Sequence, residues 1–386
     1  MWRMGPRLSV GHVSFLRMRI LHTSDWHLGR SFHRESLLDG QAAFVDHLVE
    51  TVREERVDVV LVAGDVYDRA LPPVDAVALC NEALHRLRET GARTILISGN
   101  HDSARRLGFG AALIEASGVH LRTDPAQAWE PVVIDDVAFY GIPYLEPELV
   151  RRPWELTERT HTAALTYAMD RIRADAARHR HAVVLAHAFV TGGAASDSER
   201  DISVGGVAHV PLTTFAGVDY VALGHLHGRQ RMSETVRYSG SPLAYSFSEA
   251  GQVKGSWLVT LGSGAEFVPA PVPRPVGRIS GRLDDLLTSP RYADVEDHWL
   301  QVVLTDPERP RAAMDRLRAR FPHTLALSFE PEGERAAPAP ARLSGRPEAD
   351  VALDFVREVR GEPATRAEEE LLRRAIEESR MKETTA

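Results

Sequence analysis

The sequence predicts an α/β sandwich core, a small α+β domain after it and a C-terminal pair of helices. Three observations carry this. Up to about residue 265, short apolar runs recur, each ending in polar or glycine residues. Helical patterns lie between several of them. Pro269, Pro271, Pro273 and Pro275 then break the chain.

Composition bounds the answer. The 386 residues suggest about two domains at roughly 100–200 residues each. With 44% hydrophobic and 26% charged residues, the chain can bury a core, and disorder is excluded as its main state. No run of 18 or more apolar residues exists, which excludes a single apolar helical span of a membrane. Cys80 is the one cysteine, so no intrachain disulfide forms. Without a secretion signal, a reducing, cytoplasmic setting follows. A net charge of −8 excludes a globally basic surface, although bound metal ions can reverse a local field. Of 46 basic residues only Lys254 and Lys382 are lysine. Arginine suits bidentate phosphate contact; codon bias from a GC-rich genome is the simpler reading.

Residues 1–24 contain no acid and carry Arg3, Arg7, Arg17 and Arg19. A transit peptide is conceivable, but there is no continuous apolar segment and no small-residue cleavage site. Met18 directly precedes a strand-like run, so 1–17 read as a dispensable extension or an upstream start. Strands are expected at 18–23, 57–63, 94–97, 182–186 and 218–223, from their length and β-branched content. Helices are expected at 41–55, with Phe44, Val45, Leu48, Val49 and Val52 on one stripe, and at 74–89, with Val77, Ala78, Leu84 and Leu87 at helical spacing. After the prolines come a strand at 300–304, a helix near 308–320 and a strand at 324–329, within a domain placed at 276–330. Residues 331–347 read as a semi-rigid Pro/Ala-rich linker. The tail, 348–386, places Ala352, Phe355, Val356 and Val359 on one helical stripe. Leu371, Leu372, Ala375 and Ile376 lie on another, opened by Thr365 and Glu368 in capping-box spacing. These stripes must bury themselves either on the chain's own core or on another protein.

The chemistry lies at strand ends. Asp25 and His27 follow the first strand, where residues i and i+2 point the same way. The second ends Gly64-Asp65 and the third Gly99-Asn100-His101-Asp102. The fourth ends at His187, and the fifth in Gly224-His225-Leu226-His227. Alone, Asp-x-His and Gly-Asp are weak, the run 98–102 is far rarer, and His-x-His is moderate evidence for a metal; a strand-end histidine such as His187 is more often a core or turn residue. Together, five strand ends deliver ligand-type side chains to one sheet edge, where α/β sheets build their sites. Seven candidate ligands, Asp25, His27, Asp65, Asn100, His187, His225 and His227, suit two ions sharing Asp65. Oxygen and imidazole without thiolate suit Mn²⁺, Fe²⁺ or Zn²⁺. Two carboxylates against two divalent ions leave a cleft of about +2, an anion trap on an acidic protein.

In this order the motifs resemble the calcineurin-like metallophosphoesterases. The resemblance narrows to the SbcD-like nuclease subunits through residues 25–29, Gly64-Asp65-Val66-Tyr67-Asp68, residues 99–103, 196–202 and 238–247. It implies a sandwich of two packed sheets flanked by helices, with 18–268 as the catalytic domain. It also implies an Mn²⁺-dependent DNA nuclease, a 3′–5′ double-strand exonuclease and single-strand or hairpin endonuclease serving end processing, recombination and repair. The implied partner is SbcC, a coiled-coil ATPase met by the tail, with a homodimer inside a heterotetramer. Asp25, His27, Asp65 and His227 would hold one ion. Asp65, Asn100, His187 and His225 would hold the other. His101 would act on the leaving oxygen, and Asp102 would orient it. One position departs from the pattern. Some relatives carry a second catalytic-site histidine where this chain has Asp68, and a carboxylate has no cationic role to play there. Two other readings stay open: a small-molecule phosphatase or cyclic-nucleotide phosphodiesterase, and a non-catalytic scaffold. Arg30, Phe32, His33 and Arg34 could touch a nucleic-acid backbone or form a solvated loop.

Overall fold

The computed structural model describes residues 18–202, 209–332 and 348–384. The extension expected at 1–17 and residues 333–347 of the expected linker lie outside the described residues. The chain divides into two compact units after Glu330.

The first unit is built on two six-stranded sheets. In the first, β1 (Arg19–Thr23), β2 (Val59–Ala63), β3 (Arg93–Ile97) and β4 (Val119–Arg122) run parallel. The second holds β5 (Val132–Ile134), β6 (Val137–Ile142), β7 (His181–His187) and β8 (Tyr220–Gly224). It is completed by β9 (Gln230–Arg231) and β10 (Val236–Tyr238), in the order β9-β10-β8-β7-β6-β5. The antiparallel strands β11 (Gly255–Thr260) and β12 (Gly264–Pro269) return to the first sheet beside β1.

Alternation along the strands explains the layering. Ile20, Val59, Leu61, Ile95 and Ile97 face Val137, Phe139, Val183, Leu185, Tyr220 and Ala222, forming the layer between the sheets. The intervening residues face helices. Leu21, Val60, Val62 and Leu96 pack under α1 (Leu38–Glu54) and α2 (Val74–Glu89). Tyr140, Val184, Ala186 and Val221 pack under α3 (His161–Ala176). Strands buried on both faces read as continuous apolar runs, which is how these runs look in the sequence. Helix α1 begins three residues before the expected start. Strands β4 and β10 lie outside the expected elements and are short; β6, an apolar run of six residues, and α3, with Ala164, Leu165, Ala168, Met169 and Ile172 on one stripe, also lie outside them.

The following region is a three-stranded sheet, β13 (Val276–Gly281), β14 (Trp299–Leu304) and β15 (Thr324–Phe329), with α4 (Leu283–Thr288) and α5 (Ala313–Arg320) between the strands. All three strands are parallel. The α+β content is as expected; its order is β-α-β-α-β, with the helices serving as crossovers. The expected helix near 308–320 starts later, at Ala313, because Pro310 precedes it and Ala312 is left-handed at φ 48°. This sheet has its own core of Leu283, Leu286, Leu300, Val302, Leu317 and Phe321. It also meets the sandwich through Phe32, Leu243, Tyr245, Phe247, Val276 and Trp299.

The second unit holds α6 (Glu348–Arg360) and α7 (Arg366–Thr384). Thr365 and Glu368 form a reciprocal cap: Glu368 N–H donates to Thr365 Oγ1 at 3.4 Å, and Thr365 N–H donates to Glu368 Oε2 at 2.7 Å. Arg360 pairs with Glu368 across the turn. Phe355, Val359 and Leu371 remain exposed. No helix of the described residues is long and apolar enough to cross a membrane.

Phe139 lies between the sheets with no exposed surface. Phe139→Ala is expected to cost about 3–5 kcal/mol of stability in urea unfolding. Leu149→Ala, on the surface, is expected to change it by less than about 0.5 kcal/mol.

Candidate metal centre

The carboxyl ends of β1, β2, β3, β7 and β8 come to one edge of the sandwich. Beyond β1 and β2 the backbones stay joined: Asp25 N–H donates to Gly64 O, His27 N–H to Asp65 O and Leu28 N–H to Val66 O. Strand β7 runs in register with β8, setting His187 opposite Gly224. The approach is close enough to demand glycine. A Cβ on Gly99 would lie 2.1 Å from Asp65 Oδ1, and one on Gly224 would lie 1.9 Å from Ala63 O. Asp25, His27, Asp65 and His225 all have left-handed φ, between 44° and 102°. Such backbone is costly for residues other than glycine and gathers at functional sites.

All seven expected ligands come together. Asp25, His27, Asp65, His187, His225 and His227 are buried. His27 Nε2 and His227 Nε2 point at one another, 3.1 Å apart, with an Asp25 oxygen in the same cluster. On the other side, Asn100 Oδ1 lies 2.9 Å from His187 Nε2 and 3.2 Å from His225 Nδ1. Asp65 stands between the two groups. Its Oδ2 is 3.6 Å from His27 Nε2 and 3.4 Å from His187 Nε2, while its Oδ1 accepts the His101 backbone N–H at 2.8 Å.

The far ring nitrogens fix the near ones. His187 Nδ1 is 3.0 Å from Ala63 O, so that nitrogen carries a proton and Nε2 is the one turned to the cluster, where an ion would take the place of its second proton. A ligating histidine is held in this way. His27 Nε2 and His227 Nε2 converge at 3.1 Å, and a cation between two buried imidazole nitrogens placed in this way satisfies both. The donor set therefore fits divalent ions on either side of Asp65.

Titration follows burial and the neighbours. Burial pushes the Asp25 carboxyl up to about 6, with Asp65 adding and His187 opposing. Burial opposes charge on His187, but the Asp65 carboxylate beside it prevails and raises it to about 9. Burial lowers His27 and His225. It lowers His101 to about 4 and raises Asp102 to about 7.

The orienting task that the resemblance gives Asp102 falls to another group. Asp102 accepts backbone N–H bonds from Val66, Tyr67 and Gly99 at 2.9–3.1 Å; it ties the β2 and β3 loops together. The His101 ring is held instead through Nδ1 by the Asp68 carbonyl at 2.7 Å. Its Nδ1–H is then committed, and Nε2 is the nitrogen left for chemistry. The Asp68 carboxylate lies 3.6 Å from His27 Nδ1 and 3.4 Å from Arg30. It thus lies against a candidate ligand and balances the charge of Arg30.

Several contributors carry no separate signal in the sequence. Gln41 donates to the Trp26 and His27 carbonyls. Tyr245 OH donates to Trp26 O at 2.6 Å, and its ring packs edge-on to His27 and His227. Ser198 lies in the 196–202 run and Tyr245 in the 238–247 run, both quoted above for the resemblance. Reading those runs as supports for the ligands would have found them.

Residues 18–229 match the Calcineurin-like phosphoesterase family. The chain belongs to that family. It is therefore a metal-dependent hydrolase of phosphoester bonds, and divalent ions belong to its fold. Residues 272–360 match a second family, SbcD_C, described as the Type 5 capsule protein repressor C-terminal domain. Together the two matches agree with an SbcD-type nuclease subunit. Among solved structures, TT1561 of Thermus thermophilus is 15% identical, covering 66% of this chain and 99% of its own, with a TM-score of 0.40. A dimetal phosphatase from Danio rerio is 12% identical over 66% and 99%, with a TM-score of 0.41. GAP50, the anchor in the inner membrane complex of Plasmodium, is 12% identical over 82% and 98%, at 0.36. These likenesses are distant, and membership rests on the match over 18–229.

Gly99→Ala should drive Asp65 from its place between the two groups and weaken divalent-ion binding in calorimetric titration by at least ~10-fold. A Cβ on Gly251 would meet nothing within 4 Å, so Gly251→Ala should bind as the wild type does.

Proposed function

We propose that this chain is the nuclease subunit of an SbcC–SbcD-type complex. It cuts DNA ends and hairpins with two Mn²⁺ ions, as a 3′–5′ double-strand exonuclease and a single-strand endonuclease, in the cytoplasm at the nucleoid. The observation that carries this reading is the joining, in one chain, of the Asp65-centred ligand cluster to a C-terminal region that matches the SbcD_C family. A minimal phosphoesterase needs neither the three-stranded domain nor the tail.

Asp25, His27, Asp65 and His227 would hold one ion. Asp65, Asn100, His187 and His225 would hold the other. Such a pair supplies an activated water and charge stabilisation for in-line displacement at phosphorus. The chain's own residues do the rest. Asp65 sets the spacing of the two groups. His101, with Nδ1 donating to the Asp68 carbonyl, presents Nε2 to the substrate. Burial keeps this ring neutral when the cleft is empty, and an approaching phosphodiester anion raises its proton affinity. It can then hand a proton to the leaving oxygen. Arg30, 3.4 Å from Asp68, and Arg200, whose guanidinium reaches the Asn100 carbonyl at 3.5 Å, supply positive charge at the cleft on an acidic chain.

The exposed stripes of α6 and α7 would meet the SbcC coiled coil. A homodimer is supported by a second apolar face. Leu71 and Val74, and Phe109 and Leu113, are exposed at 66–86%. Their two segments are joined by Arg106 donating to the Ala70 carbonyl.

Two outcomes test the reading. His101→Ala should keep both ions by metal analysis but lose Mn²⁺-dependent hairpin cleavage by roughly 10²–10⁴. Loss of the ions in that variant would make His101 a ligand. A chain ending before residue 347 should still hydrolyse bis-p-nitrophenyl phosphate but fail to co-elute with SbcC and lose ATP-dependent cleavage of duplex DNA. If full-length chain with SbcC cleaves only the small ester, the small-molecule phosphoesterase reading takes its place.

A further inference from the structure

His227 is held at every polar atom but one. Its backbone N–H donates to Glu199 Oε1 at 2.8 Å. Its carbonyl accepts from Ser241 N–H at 3.0 Å and from Lys254 Nζ at 2.8 Å. Its Nδ1 lies 2.5 Å from Ser198 Oγ, and that hydroxyl lies 2.5 Å from Glu249 Oε1. The other carboxylate oxygen of Glu249 pairs with Lys254. The remaining atom, Nε2, is the one that faces His27 Nε2.

The direction of each bond follows from its ends. Glu249 is an acceptor only, so the Ser198 hydroxyl donates to it. Ser198 Oγ must then accept from Nδ1–H of His227. That tautomer leaves a lone pair on Nε2. Both Glu249 and Lys254 are almost wholly buried, at 1% and 3% exposure. Burying such a pair is costly unless its geometry is complete. Here it is complete: Lys254 also donates to Ser241 Oγ at 3.0 Å and Gln252 Oε1 at 2.9 Å. Lys254 is one of two lysines among 46 basic residues. A compact ammonium can reach acceptors converging from several sides; a planar guanidinium fork cannot.

We infer that Ser198, Glu249 and Lys254 are positioning residues that fix the tautomer and aim of His227 toward one of the two ions. The chain His227 Nδ1–H to Ser198 O–H to Glu249 sets the ring, and Lys254 locks both the carboxylate and the His227 carbonyl. This rests on the assignment of His227 as a ligand under the proposed function.

The test is calorimetric titration of Mn²⁺ into the metal-free full-length chain, with electron paramagnetic resonance of the loaded protein. Ser198→Ala, at a partly exposed residue, and the charge-balanced pair Glu249→Gln/Lys254→Met should each weaken one of the two ions by ~10–100-fold. The second ion should keep its wild-type affinity. At limiting Mn²⁺ the signal of a coupled pair should give way to that of a single ion. His227→Ala runs alongside. If it loses one ion while the other variants bind both as tightly as wild type, the three residues serve folding alone and the inference is overturned. If His227→Ala itself binds both ions normally, the ligand assignment fails and the inference with it. Should the buried pair not fold, Ser198→Ala decides the question.

Discussion

The closeness of the strand ends governs the cleft. Ala63 and Gly64 at the end of β2 press against Gly99 after β3, Gly224 at the end of β8 and His187 at the end of β7. No side chain fits between them. This contact brings donors from two different sheets within a few ångströms of Asp65. The sandwich core holds it in place: the layer of Ile20, Leu61, Ile97, Phe139, Leu185 and Ala222 sets the distance between the sheets, and so the distance between ligands borne by each. Close-packed interiors transmit strain rather than absorb it, so the site inherits the precision of the core.

The candidate site was more legible in the sequence than the fold around it. Ligands sit at strand ends because side chains there must reach past the sheet, and short motifs such as Gly99-Asn100-His101-Asp102 announce both the turn and the chemistry. All seven expected ligands lie in one cluster for that reason. Orientation is set by groups distant in sequence and was not legible. Asp68 binds His101 through its backbone carbonyl, which any residue type offers. Asp102 spends its carboxylate on three backbone N–H groups, a role that a spacing of one residue from His101 does not reveal. In the fold, β4 and β10 escaped because runs of three or four residues give too little periodicity. The parallel order of the small sheet escaped because a parallel pairing leaves no local mark of the kind a hairpin turn does.

Electrostatics reverse between the surface and the cleft. The chain carries −8 overall, yet its buried edge gathers the His27, His101 and His225 imidazoles, which burial keeps neutral, beside carboxylates held at fixed places. The exception is His187, which Asp65 holds charged. An acidic exterior disfavours adventitious contact with polyanions, and attraction is confined to the place where ions can sit.

The left-handed backbone at Asp25, His27, Asp65 and His225 has a consequence for the life of the protein in the cell. Each of these turns stores conformational free energy that the empty fold must carry. An ion that binds only the ordered arrangement returns stability in proportion to the logarithm of its concentration. The persistence of the chain against proteolysis is thereby tied to the metal economy of its host.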